Sequence, residues 1–233
     1  MHIFGNRLKL LCYLLIACAI LSRVPYLTWP LRTEAWRETQ TALSVWAFDK
    51  NNHISLFNYE TPIFGPPWQV PMELPIFQIY AYGLKCLLHS TCDFACHLAG
   101  LSMFCLSAWL TRRLCLLLTG DATISLLAAV FYVISPYAHT FSTASLIEYC
   151  AVSCCLAYLL SLSYLLRTSQ SLAMVLLTIL LGVLAYTVKG TTMAGYIGVV
   201  LAMAAAKEWR NNKSAVCSEM ITIAFAQSVT DLV

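Results

Sequence analysis

Charge is what this sequence has least of. Asp, Glu, Lys and Arg make up 11% of its 233 residues, against about 25% in soluble globular domains. That scarcity excludes an ordinary soluble enzyme and a disordered chain alike, since both depend on charged, hydrated surface. The net charge of +3 is small and dispersed, so nothing in the balance points to a nucleic-acid partner. A disulfide framework is missing too. Cysteines number 11, an odd count, and most lie inside apolar runs (Cys12, Cys18, Cys105, Cys115, Cys150, Cys154, Cys155), where Cys behaves as a small buried hydrophobe. No internal repeat of the kind seen in many transporters is visible.

What is abundant is apolar sequence. The hydrophobic share is 60% and the mean hydropathy +0.72, which describes an all-α, polytopic integral membrane protein. A crossing helix takes roughly 20 residues. The apolar runs lie at about 8–29, 93–111, 122–141, 149–166, 171–188 and 191–206. The stretch Leu15-Ile16-Ala17-Cys18 resembles a lipoprotein cleavage box, but the apolar run continues past it, so an uncleaved first span is expected. Residues 30–92 form a large loop. Within it, 74–88 is apolar but short, interrupted by Gln78, Gly83 and Lys85, and is read as a helix lying along the interface.

Orientation follows from Lys and Arg in short connections, which favour the cytoplasmic side. Arg7 and Lys9 put the N-terminus inside, and the 30–92 loop is then outside. Arg112-Arg113, Arg167 and the basic cluster at 207–213 all return to the inside, provided that 74–88 does not cross. Glu148 and Lys189 fall on the outer face.

That outer face collects the chemistry. Thr33 is placed to cap a helix over 34–49, with Glu34 in its favourable first turn and Arg37 and Thr41 following on one face. Five prolines crowd into 62–75 and stiffen the loop that begins at Tyr59-Glu60 and leads through Glu73 to the 74–88 helix. Ser135-Pro136, His139 and Glu148 cluster at the end of the third span. Separated carboxylates with cations suit a phosphate-bearing lipid donor: cations neutralise the phosphate, and a carboxylate takes a proton from an acceptor hydroxyl. The spacing His89, Cys92, Cys96, His97 is loosely zinc-like, but no second ligand pair follows, so these read as helix-end residues and no metal site is assigned.

Three features resemble the GT-C glycosyltransferases that use polyprenyl-phosphate sugars, especially bacterial members related to protein O-mannosyltransferases and the aminoarabinose transferase of lipid A. They are the acid Glu34 after span one with Trp36-Arg37-Glu38-Thr39-Gln40-Thr41, the phrase Tyr59 to Trp68 leading into Pro71-Met72-Glu73-Leu74-Pro75, and Ser135-Pro136 followed by Glu148. The resemblance implies catalytic roles for Glu34 and Glu148, and a donor- or acceptor-binding set of Arg37, Gln40, Tyr59, Glu60, Glu73, His139 and Lys189. The family's more frequent Asp is Glu at both acidic positions, and Glu73 stands where several relatives have Lys. It further implies a polyprenyl-phosphate-linked sugar donor, a lipid or glycan acceptor, surrounding membrane lipids, a bacterial inner-membrane location and an active site on the outer face. No cofactor is demanded, although some relatives use a divalent cation. The match covers the N-terminal half of a typical member, so the chain is expected to represent that part. The alternative is a non-catalytic polytopic protein, a transporter module or an accessory subunit.

The orientation has a direct test. With native cysteines replaced, a cysteine at position 112 should resist a membrane-impermeant maleimide added to intact cells. External labelling there would sink the non-crossing reading of 74–88.

Overall fold

The computed structural model describes residues 2–30, 35–51, 53–56, 73–167 and 171–206. Glu34 with its capping Thr33, Tyr59, Glu60, the proline-rich segment as far as residue 72, the basic cluster at 207–213 and the tail 215–233 lie outside the described residues.

Among the described residues the protein is all-α. The helices are α1 (His2–Leu21), α2 (Ala35–Asn51), α3 (Ile76–Leu88), α4 (Cys92–Thr119), α5 (Ala122–Ile134), α6 (Pro136–Phe141), α7 (Glu148–Arg167), α8 (Leu172–Val188) and α9 (Gly190–Ala206), with a 3-10 turn at Val24–Thr28 after α1. Local chemistry sets the boundaries. Thr91 Oγ1 accepts from the Phe94 N–H to start α4, and Asp121 Oδ1 accepts from Thr123 and Ile124 to start α5. Ser171 Oγ does the same for α8 through Met174. Gly120, at φ +71°, ends α4 in the left-handed conformation that glycine tolerates.

Three stretches are long and apolar enough to cross a membrane: Asn6–Thr28, Cys92–Thr119 and Glu148–Arg167. They mark the chain as a candidate integral membrane protein. The other expected runs are shorter helices. The 17 residues each of α8 and α9 reach about 26 Å, and the 13 residues each of α3 and α5 about 20 Å, against roughly 30 Å of hydrocarbon.

Two boundaries differ from expectation. The run at 93–111 does not stop at Arg112-Arg113: α4 continues two further turns, so both arginines are helical residues and not part of a connection. The run at 122–141 is broken at Ser135, where Pro136 supplies no N–H to the preceding turn; Ser135 Oγ instead caps α6 by accepting from Ala138.

The long helices α4 and α7 pack together at the centre, with Ser153 Oγ of α7 donating to the Met103 carbonyl of α4. Around their N-terminal halves, Val45 of α2, Phe77 and Ala81 of α3, Cys96 and Ala99 of α4, Ala151 of α7 and Val188 of α8 form one apolar cluster. Lower on α7, Cys155, Leu156 and Leu159 pack with Met193 and Tyr196, so α9 turns back along α7 after the single residue Lys189.

Between α6 and α7 the chain is irregular yet buried: Ser142 and residues 144–147 are nearly inaccessible. Each neighbour grips it. Arg23, itself buried, donates from Nε to Ser142 Oγ at 2.8 Å and from Nη2 to the Val133 carbonyl at 2.8 Å, also bonds the Ala19 carbonyl, and lies over the Phe104 ring. Ala19 and Val133 stand at the C-terminal ends of α1 and α5, where carbonyls lack helical donors and the dipole favours a cation. His97 of α4 places Nδ1 2.5 Å from the Thr143 carbonyl and Nε2 3.1 Å from that of Trp29. Gly100 lets α4 approach so closely that a Cβ there would sit 2.5 Å from the Ala144 carbonyl oxygen.

Gly100→Ala should therefore lower the unfolding temperature in detergent, by a cost of about 1–3 kcal/mol for overpacking. Gly83→Ala, on α3 with nothing near its added Cβ, should be neutral or mildly stabilising. Equal effects would remove the close approach as the cause.

Candidate functional site

The sequence offered Glu148, Lys189 and Arg37 on three separate segments, and the fold brings them together. Glu148 is the first residue of α7, its side chain 11% exposed. Its Oε1 accepts from Lys189 Nζ at 2.8 Å and from Arg37 Nη1 at 3.3 Å. Lys189 is held there because it forms the extended one-residue corner between α8 and α9 (φ −161°, ψ 95°). Arg37 reaches in from the first turns of α2 with half of its side chain in the open, at 52% exposure. The second oxygen, Glu148 Oε2, is buried and has no hydrogen-bond partner among the described residues. A carboxylate oxygen in that state is an acceptor with a lone pair still to satisfy.

Glu73 joins the group electrostatically. The Leu74 N–H donates to the Thr187 carbonyl at 2.9 Å, which pins the 73–75 strand of chain against the last turn of α8, two residues from Lys189. Burial pushes the Glu73 carboxyl above its ordinary value of 4.5; Lys189 and Arg37 oppose the rise, and Glu148 adds to it. The site thus holds two carboxylates and two cations.

His139 is exposed on α6, edge-on to Tyr26 with ring centroids 6.3 Å apart. Gln40 is half-buried on α2, its carbonyl accepting from Ser44 Oγ. Glu34, Tyr59 and Glu60 fall outside the described residues.

One acid escaped the sequence reading. Glu38 is fully buried and accepts from the Ser145 N–H at 3.3 Å, gripping the buried loop three residues before Glu148. The signal was present: Glu38, Thr41, Ala42, Val45 and Phe48 recur at helical spacing and form the inward stripe of α2. Taking Glu34, Arg37 and Thr41 as the functional face shared Thr41 with that stripe but passed over Glu38. Gln78 was likewise read only as an interruption, and it is buried on α3 with Oε1 unpartnered among the described residues.

Within the zinc-like spacing the Cys92 and Cys96 thiols are hydrogen-bonded to each other, one turn apart on α4. Both His97 ring nitrogens face backbone carbonyls, His89 ends α3 in the left-handed conformation (φ 49°), and the Cys92 thiol points at the Ala42 carbonyl. Among the described residues no group of three or more His, Cys, Asp or Glu is arranged to hold a metal.

A cleft of about 550 Å³ opens at this same end of the bundle. It is lined by Trp29 and Phe94, by Thr28, Ser90, Thr91 and Asp93, and by Leu27 and Pro30. Its lining does not include Glu148, Arg37 or Lys189.

The charges are sorted between the two ends. The end with the first turns of α1 and the last turns of α4 and α7 carries Arg7, Lys9, Arg112, Arg113 and Arg167 against Asp121 alone among the described residues. The site end carries Arg23, Arg37, Lys50, Lys85 and Lys189 against Glu38, Asp49, Glu73, Asp93 and Glu148, so its described charges cancel. Lys85 Nζ and Asp49 Oδ1, 2.6 Å apart, tie α3 to α2 within that balance.

Compared with protein-family models, curated proteins and solved structures, the chain matches none.

Glu73 sets a pH dependence. A carboxyl whose folded value is raised contributes stability that is complete below its unfolded value of 4.5 and is lost as pH rises through the folded value. Glu73→Gln removes that loss. Its unfolding temperature should gain on the parent's as pH is raised from 4 to 7 in detergent. A constant difference across that range would deny the raised carboxyl.

Proposed function

We propose that the protein is a polytopic membrane glycosyltransferase, or the N-terminal module of one, of the GT-C kind, moving a sugar from a polyprenyl-phosphate donor to a lipid or glycan hydroxyl on the outer face. One observation carries the reading: a buried carboxylate with a spare oxygen, Glu148 Oε2, set between two cations at an end of the bundle where the described charges cancel. The sorting of charges supports the orientation, because the cation-rich end is the one that favours the cytoplasm.

The chemistry follows from these groups. The acceptor hydroxyl attacks the anomeric carbon, a carbon–oxygen bond forms there, and the bond from that carbon to the phosphate oxygen breaks. The hydroxyl proton passes to a carboxylate, and polyprenyl phosphate leaves with the bonding electrons. Glu148 is the described carboxylate fitted to take the proton. Glu34, also assigned from the family resemblance, shares the catalytic proposal. Arg37 holds Glu148 loosely at 3.3 Å and is half exposed, so it is free to turn to the departing phosphate. The Lys189 ammonium has three donors and spends one on Glu148. Trp29, Phe94 and Asp93 give the neighbouring cleft the aromatic wall and polar groups that a saccharide requires, in a volume typical of small-molecule sites.

A second reading has an observation of its own. Glu148 Oε1 already meets both cations, and a self-compensated triad also serves a non-catalytic scaffold, a transporter module or an accessory subunit.

Glu148→Gln separates the two. In protein reconstituted with a polyprenyl-phosphate sugar and acceptor, the change should cut transfer by about 10²–10⁴ while membrane insertion is retained. Near-normal transfer would move the proton-accepting role to Glu34, and absence of transfer in the parent protein would favour the scaffold.

A further inference from the structure

The cation-rich end holds a second arrangement that the proposed transfer chemistry does not use. Arg112, well inside α4, turns its guanidinium to α1, where Nη2 donates to the Tyr13 hydroxyl at 3.0 Å and the carbon centre lies 5.6 Å from the Tyr13 ring centroid. Its Nε is buried with no partner among the described residues. Lys9 stands one helical turn before Tyr13, so both project from the same face of α1. On α4, Arg113 lies over the ring of Trp109 with 5.8 Å to the centroid. Asp121, the acid at this end among the described residues, is committed to the N–H groups of Thr123 and Ile124, which hold its carboxyl below the usual range.

Lys9 and Arg112 therefore flank Tyr13 across the face made by α1 and α4, Arg113 follows Arg112 on α4, and the carboxylate near them among the described residues, Asp121, feels the Lys9 charge but spends an oxygen on the N–H donors of α5. The Tyr13 hydroxyl accepts from Arg112 and keeps its own proton to donate. Below this polar rim the surface is apolar and open: Leu10, Leu14 and Trp109 are each more than half exposed. Open apolar wall under a crown of cations and a hydroxyl donor is the shape of one lipid molecule, acyl chains along the wall and a charged phosphate at the rim.

We propose that the face made by α1 and α4 at this end binds an anionic phospholipid, its phosphate held by Arg112 and the Tyr13 hydroxyl, with Lys9 adding positive charge. An anion here accepts from the guanidinium N–H groups of Arg112 that the Tyr13 hydroxyl leaves open, and charge complementarity selects it over a zwitterionic lipid, whose own cation meets the same crown. The bound lipid bridges α1 to α4 on the face where Tyr13 and Arg112 already join them. This site requires only that the protein lie in a membrane, and it stands apart from the transfer reaction at the other end.

Native mass spectrometry of the purified protein, mixed with equal amounts of dioleoyl phosphatidylglycerol and dioleoyl phosphatidylcholine, tests it. The parent should retain the anionic lipid preferentially. Tyr13→Phe keeps the ring under the cation and removes the hydroxyl; it should lower that retention by about tenfold, the worth of one hydrogen bond to a charged group. Arg112→Gln should lower it at least as far. Arg167→Gln removes a cation from the same end but from α7, where Arg167 bonds the Leu117 carbonyl, and should leave retention unchanged. Equal retention of the two lipids by the parent would overturn the proposal, as would an unchanged preference in Tyr13→Phe. So would a loss in Arg167→Gln matching that in the Tyr13 and Arg112 variants, because general charge would then explain the binding. Tyr13→Phe decides the matter even if Arg112→Gln does not fold.

Discussion

Irregular backbone inside an apolar bundle is tolerated only when its polar groups find partners, since each one left without a partner costs about 1–3 kcal/mol. In the segment between α6 and α7 the surrounding helices supply partners for several of these groups, while the Ser145 hydroxyl has none among the described residues. Arg23 reaches Ser142 from the end of α1, His97 reaches the Thr143 carbonyl from α4, and Glu38 accepts the Ser145 N–H from α2. Gly100 gives the room for Ala144 to sit against α4. Glu148 then leaves this segment in a fixed direction, which is why Lys189 and Arg37 can meet a single oxygen. The break at Ser135-Pro136 belongs to the same design: ending α5 there frees the Val133 carbonyl, and Arg23 takes it.

The buried charges obey a related rule. A cation or carboxylate deep in a low-dielectric bundle is held only if countercharge, dipole or hydrogen bonds replace its water. Arg23 relies on helix C-termini and an aromatic face, whereas Glu148 relies on two cations. At the opposite end the cations stay near the rim, stacked on Tyr13 and Trp109. Among the described residues one end is thus internally neutral and organised, while the other keeps an excess of positive charge for whatever surrounds it.

Much of this was legible in the residues. Long apolar runs announced α1, α4 and α7, and the short interrupted run at 74–88 announced a helix too short to cross, which is α3 at Ile76–Leu88. Glu148, Arg37 and Lys189 were selected because the charge pattern put all three on one face, and they meet. Three things were hidden. The extension of α4 past Arg112 is a matter of tertiary support: two arginines look like the end of a span unless Tyr13 and Trp109 are known to receive them. The buried loop gives no signal, because Ser142 to Ile147 reads as an ordinary polar turn. Glu38 was masked by its neighbour, since charge drew attention to Arg37 while the apolar stripe of α2 runs through Glu38.

The pairing of Glu148 with Lys189 also bears on how the chain is made. The two residues are 41 apart in sequence, and Arg37 precedes Glu148 by 111. As α7 emerges from the ribosome its leading carboxylate has only the looser of its two cations available, and the tighter one is not yet synthesised. Until α8 has been threaded and Lys189 arrives at the corner, the head of α7 carries a charge that opposes its burial. Burial of the α7 head is therefore compensated in full only once α8 and Lys189 are in place.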